Sequence, residues 1–205
     1  MLDNKGFDLW SKNYDKSVNL LEENDKYPFA GYRDLLGMIY SKIRCGQGKK
    51  VLDIGIGTGV LAKRLYYDGY EITGIDFSRN MLTVVKEKMP NAFLVEHDFS
   101  QGYPEQLAKE KFDAIVCTYA IHHLDDDQKV IFINELQNHL NENGSIYIGD
   151  VAFERVDECE QCKIENAEYW DYDEIYPVLE TLASRVKNIS FLRISHCAGI
   201  FIIGK

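Results

Sequence analysis

The sequence lacks a paired cysteine framework. Its five cysteines, Cys45, Cys117, Cys159, Cys162 and Cys197, are odd in number and scattered. That pattern excludes a small disulfide-stapled scaffold and suits a reducing compartment. The Cys159-x-x-Cys162 pair reads as half a zinc site or a redox dithiol, or as two free thiols on one helix face. No second Cys or His pair follows at a zinc-like spacing, and the acidic flank Asp157-Glu158-Cys159-Glu160-Gln161-Cys162 disfavours a thiolate, so free thiols and no metal are expected. Basic residues are in the minority: 23 Lys and Arg stand against 33 Asp and Glu, a formal net charge of -10. No Lys/Arg run is long enough to track a phosphate backbone, since Lys49-Lys50 and Lys86/Lys88 are isolated pairs. Nucleic acid is therefore not an expected partner. Apolar runs stop at five or six residues, against the roughly 20 a membrane-spanning helix needs. The opening Met1-Leu2-Asp3-Asn4-Lys5-Gly6 has no basic region followed by an apolar one, so no export signal is read and a cytoplasmic location is expected. Internal repeats, low-complexity tracts and linkers are also missing, and 205 residues suit one domain with a continuous core.

What is present is an alternation of short apolar strands and amphipathic helices. Residues 1–44 read as helical with a break near Pro28, rich in aromatic surface at Phe7, Leu9, Trp10 and Tyr14. A helix from about Tyr32 to Ile43 carries Leu35, Leu36, Ile39 and Ile43 at helical spacing. Strands follow at Val51–Ile54, Glu71–Asp76, Phe93–Glu96, Phe112–Tyr119 and Ser145–Gly149. Helices are expected between them at about Gly59–Tyr67, from the Ser78 N-cap to Lys88, and over Asp127–Leu140. This order predicts an α/β fold with a parallel sheet covered on both faces. After a further helix expected over Glu174–Val186, the strands Ile189–Ile194 and Ile200–Ile203 are joined by only Ser195-His196-Cys197-Ala198-Gly199. A connection that short cannot cross over, so this pair is antiparallel.

The chemistry concentrates in Val51-Leu52-Asp53-Ile54-Gly55-Ile56-Gly57-Thr58-Gly59-Val60. Glycines at 55 and 57 let the chain leave the strand tightly and let a ligand approach bare backbone. A dinucleotide fingerprint places its third glycine three residues after the second, where this chain has Val60; here the third is Gly59. Asp53 puts a carboxylate at the strand end, which suits a cation better than a pyrophosphate. The pattern thus favours S-adenosylmethionine, with its ammonium and sulfonium, over NAD. Asp76 ends the second strand 23 residues after Asp53, where a carboxylate can accept from both ribose hydroxyls. It could instead cap the next helix, but spacing and strand end together favour the ribose.

The run Val51–Val60, then Gly74-Ile75-Asp76-Phe77-Ser78 with Met81-Leu82, His97-Asp98-Phe99, and Phe112–Val116 leading to His122-His123-Leu124, resembles the class I S-adenosylmethionine-dependent methyltransferases. It covers roughly residues 48–150. The opening Phe7–Asp15 is similar to the first helix of many members with small-molecule substrates, and the tail Ile194–Ile200 resembles a group of small bacterial members. The resemblance implies a Rossmann-like doubly wound sheet of seven strands, order 3-2-1-4-5-7-6 with strand 7 antiparallel. Within it, 1–44 would cap the site, 48–150 bind cofactor, and 151–205 supply a helix and the antiparallel pair. It further implies that Gly55, Gly57 and Gly59 line the methionine part of the cofactor, near Asp53. Asp76 would hold the ribose, Phe77 would pack on adenine, and Asp98 with the Phe99 amide would meet the adenine edge. Cys117 and the residues after it would lie under the sulfonium, with Trp10 and Tyr14 closing over the methyl end.

Methyl transfer from a sulfonium needs alignment and exclusion of water more than acid–base chemistry. A general base matters only for a nucleophile that arrives protonated. Candidates at the strand ends are Tyr119, His122, His123 and Asp150, with His122 preferred and one of the two histidines expected to be structural. The acidic, aromatic stretch Glu168-Tyr169-Trp170-Asp171-Tyr172-Asp173-Glu174 reads equally as a substrate wall for an amine and as a surface turn. No Asn/Asp-Pro-Pro-Tyr/Phe run follows strand four, which together with the acidic charge points to a small-molecule methyl acceptor. A monomer or homodimer is expected. Two alternatives stay open at this point: a non-catalytic adenosylmethionine or adenosylhomocysteine binder, and an NAD(P)-dependent oxidoreductase.

Overall fold

The computed structural model describes residues 26–205; Trp10, Tyr14 and the first 25 residues of the expected N-terminal cap lie outside them. Helix α1 (Tyr32–Cys45) leads into β1 (Lys50–Ile54), α2 (Val60–Tyr67), β2 (Glu71–Asp76), α3 (Arg79–Lys88) and β3 (Phe93–Glu96). Then come β4 (Phe112–Thr118), α4 (Asp126–Asn138), β5 (Leu140–Val151), α5 (Val156–Glu165), the short α6 (Leu179–Leu182), β6 (Ile189–Arg193) and β7 (Ala198–Gly204). The strands form one sheet of order β3-β2-β1-β4-β5-β7-β6. Only β7 runs against its neighbours, pairing antiparallel with both β5 and β6. The strand order is the one the family resemblance implies, and the antiparallel β6–β7 pair is the one the short connection predicts.

Both faces of the sheet are buried, as a parallel sheet requires. Leu35, Ile39, Leu61, Leu82 and Val85 from α1, α2 and α3 cover one face. Val130, Ile133, Leu136 and Leu182 from α4 and α6 cover the other. Helix α4 starts on an Asp125–Gln128 capping box, in which the Asp125 carboxylate accepts from the Gln128 amide. Its buried Lys129 reaches back to donate to the Leu124 carbonyl at 2.5 Å, tying α4 to the turn that carries His122 and His123. Ser78 caps α3, accepting from the Met81 amide at 3.3 Å.

Two expectations need correction. The helix expected over Glu174–Val186 shrinks to Leu179–Leu182. Pro177 biases the residue before it toward extended backbone, and the segment finds distant partners. The Ile175 amide donates to the His122 carbonyl at 2.9 Å, the Phe153 amide to Pro177, and the Leu179 amide to Phe153. Strand β5 is also longer than expected. It begins at Leu140 and passes through an irregularity in its pairing with β4, where Asn143 takes a left-handed conformation at φ 64°. The Cys159/Cys162 pair lies on α5, and none of the five cysteines is in a disulfide.

Candidate functional site

A cavity opens beyond the carboxyl ends of the central parallel strands, the expected place for a ligand in an open α/β sheet. Its first half is the turn between β1 and α2. Gly55 sits at φ 66°, and a Cβ there would lie 2.8 Å from the Ala120 Cβ, so the turn tolerates no side chain at this position. The Gly57 amide donates to Asp76 Oδ2 at 2.8 Å. Gly59, at φ 74°, faces the other way. A Cβ on it would come within 3.0 Å of Met89 Cε and 3.3 Å of Val85. Its smallness serves the packing of α2 on α3, and it is not among the lining residues.

Asp53 is the unusual group of this half. Its side chain is buried at the end of β1, and Oδ1 has no hydrogen-bond partner among the described residues. Burial, with the nearby Asp76 charge adding to it, pushes the Asp53 carboxyl up to about 8. On its own such a group keeps its proton, and a cationic ligand beside it would favour its ionised form. Asp76 is buried too, with its oxygens turned to the Gly57 and Ser78 amides at 2.8 Å each. It organises the glycine turn while still lining the cavity; the cap of α3 is Ser78.

The second half is built where β4 and β5 end. Tyr119, in a left-handed conformation at φ 50°, directs its ring against Phe29 and Tyr32, with centroids 5.4 and 5.2 Å away. A 3-10 turn, Ile121–His123, then carries both histidines. His122 Nδ1 lies 2.8 Å from Asp150 Oδ1, and His122 Nε2 lies 3.4 Å from Glu174 Oε1. Asp150 is fully buried; its Oδ1 also accepts from the Val151 amide at 2.8 Å, and Oδ2 has no partner among the described residues. Tyr176 donates its hydroxyl to Glu174 Oε2 at 2.6 Å. Burial works against a proton on His122, but the Asp150 and Glu174 carboxylates outweigh it and raise its pKa. His123 goes the other way, held down to about 4 by burial and by the His122 charge beside it. Burial pushes the Glu174 carboxyl up.

Of the residues singled out in the sequence, the structure brings Asp53, Gly55, Gly57, Asp76, Phe77, Phe99, Tyr119 and His122 to the cavity wall. Asp150 stands one layer behind, against His122. Cys117 is fully buried within β4, its thiol pushed well up by burial, and Thr118–Ala120 line the cavity instead. Asp98 is exposed and caps the turn Phe99–Gln101, accepting from the Ser100 amide at 2.9 Å. Sequence reasoning missed Phe29, Tyr32, Leu36, Thr58 and Met81 on the wall. The α1 periodicity marked Leu36 only as core, and nothing local marks the rings ahead of it. The 168–174 stretch turns out to be partly wall: Glu174 lines the cavity, and Trp170 stacks on Tyr27 at 5.3 Å.

Comparison with known proteins shows the family. The model of a methyltransferase domain matches residues 51–144. An uncharacterized methyltransferase of Alkaliphilus oremlandii is 34% identical over 179 residues, 87% of this chain and 79% of that protein. One from Bacillus anthracis is 32% identical over 203 residues, covering 93% of this chain and 92% of the relative. Among solved structures, an S-adenosylmethionine-dependent methyltransferase from Clostridium acetobutylicum superposes with a TM-score of 0.64 at 14% identity, over 94% of this chain and 99% of that one. Magnesium protoporphyrin IX methyltransferase from Synechocystis, solved with bound S-adenosylhomocysteine, gives 0.65 at 14% identity over 86% and 85%.

Proposed function

The chain belongs to the methyltransferase-domain family of class I S-adenosylmethionine-dependent enzymes, and from that premise we propose that it methylates a small molecule by in-line displacement. The observation that carries the reading is the acceptor end of the cavity. It is walled by the rings of Phe29, Tyr32 and Tyr119, and none of the described lining residues is Lys or Arg. An aromatic chamber of this kind suits a compact, uncharged or cationic acceptor and offers nothing to a polyanion.

The residues present fit the cofactor. The orphaned Asp53 oxygen and the bare backbone at Gly55 suit a cationic ligand lying close to the chain. Asp53, Gly55 and Gly57 would hold its methionine part, and Asp76 its ribose. Phe77 and Phe99 would flank the adenine, with Asp98 beside them. When bound, it supplies a methyl group on a sulfonium that is already a good leaving group. The protein aligns the acceptor with that methyl and keeps water away. His122 faces the acceptor and takes its proton if the nucleophile arrives protonated, with Asp150 fixing the imidazole from behind and Tyr119 shaping the approach.

The test is to incubate the protein and methyl-labelled S-adenosylmethionine with a bacterial extract, then separate products by size. Label in the low-mass fraction is expected. Label confined to protein or nucleic acid contradicts the proposal.

A further inference from the structure

We propose that His122, His123 and Glu174 form a binding site for a divalent transition-metal ion of the zinc type at the acceptor end of the cavity. One ligand atom from each residue lies within 4.8 Å of the other two. A point equidistant from atoms so placed is at most about 2.8 Å from each in a near-equilateral arrangement, so shifts of about 0.7 Å give zinc-like bonds of about 2.0–2.1 Å. The His122 Nε2 to Glu174 Oε1 separation, 3.4 Å, is already close to the edge of a tetrahedron with bonds of that length.

Local structure aims these groups. Neighbouring side chains on a helix normally diverge. The short turn Ile121–His123 nevertheless sets the two imidazoles with centroids 4.4 Å apart, and both line the cavity with Glu174. Each of two ligands is also held from behind, the arrangement that fixes metal ligands in orientation. Asp150 occupies His122 Nδ1 at 2.8 Å, which leaves Nε2 toward Glu174. Tyr176 holds Glu174 Oε2 at 2.6 Å, which leaves Oε1 toward His122. The two segments are locked together by the Ile175 amide donating to the His122 carbonyl.

The donor set selects the ion. Two imidazoles and one carboxylate suit Zn2+, Co2+, Ni2+ or Fe2+, whereas Ca2+ and Mg2+ favour all-oxygen sets. No described lining residue is a Lys or Arg that would repel the ion. Three protein ligands leave a fourth position for water or an acceptor atom. The ion takes up the same Nε2 lone pair that acceptor deprotonation uses, so metal binding and base action at His122 exclude each other.

The test is calorimetric titration of the full chain with Zn2+ and visible spectroscopy with Co2+, on wild type, His123→Ala and Glu174→Gln. S-adenosylhomocysteine titration of the same samples reports on the cofactor end separately, so a failure of the methyltransferase reading is seen independently of the ion. We expect one ion per chain, bound at least ~10-fold more weakly by either variant, with adenosylhomocysteine affinity within ~3-fold of wild type. No zinc binding, binding unchanged in both variants, or a cobalt–thiolate charge-transfer band overturns the site.

Discussion

The proposed cofactor end of the cavity takes most of its wall from one stretch, Asp53 to Phe77, while the proposed acceptor end gathers Phe29, Tyr32, Tyr119, His122, Asp150 and Glu174 from the whole chain. The two tyrosine hydroxyls that brace the acceptor end, Tyr27 and Tyr176, meet across 149 positions of sequence. One end is built mainly from a strand, a glycine turn and a helix that are close in sequence. The other exists only after the sheet has closed and the 168–178 segment has docked against the turn at His122. This difference predicts that the two ends can be disabled independently.

The largest effect is expected at Gly55. Gly55→Val forces a side chain into a left-handed position against Ala120, and adenosylhomocysteine binding should fall more than ~100-fold by calorimetry. Asp76→Ala removes the acceptor of the Gly57 and Ser78 amides as well as the proposed ribose contact. An affinity loss of about 2–3 kcal/mol, or ~30- to 150-fold, is expected. If either variant binds normally, the cofactor end is not where this account puts it. Across the cavity, His122→Ala should leave adenosylhomocysteine affinity within ~3-fold while slowing methyl transfer ~100-fold to an acceptor from the extract experiment whose nucleophile carries a proton. Parallel loss of cofactor affinity would mean that the two ends are one unit.

The smallest effect is on stability, and it comes from Asp53. Folded, this carboxyl keeps its proton up to about 8, whereas its ordinary value is 3.8. Between those values the folded chain holds one more proton than the unfolded chain, so stability falls as pH rises from about 4 to about 8. Asp53→Asn removes that slope. The ligand-free variant should melt with wild type near pH 5 and gain about 1–3 kcal/mol over it near pH 8. Equal melting at both values would show that the buried carboxyl is not strained.

Legibility follows the same division. The β1 turn and the Ser78 cap could be read because each depends on neighbours within a few residues. The antiparallel β6–β7 pair could be read because a five-residue connection leaves no other geometry. Gly59 was legible as a glycine but not in its role, since Val85 and Met89, which it accommodates, lie on α3 and just past its end. The Glu174 segment was legible as one of two readings of the 168–174 stretch, a substrate wall, but its conformation was not. Its amides are satisfied by His122 and Phe153, partners that only the assembled sheet brings near, so local pattern alone suggested a helix. Phe29 and Tyr32 likewise gain a role only from Tyr119, far along the chain.

The most direct test of the account is calorimetric titration of the wild-type chain with S-adenosylhomocysteine beside NADH. The account predicts micromolar binding of the former and none of the latter. Absent adenosylhomocysteine binding, or a preference for NADH, would contradict it.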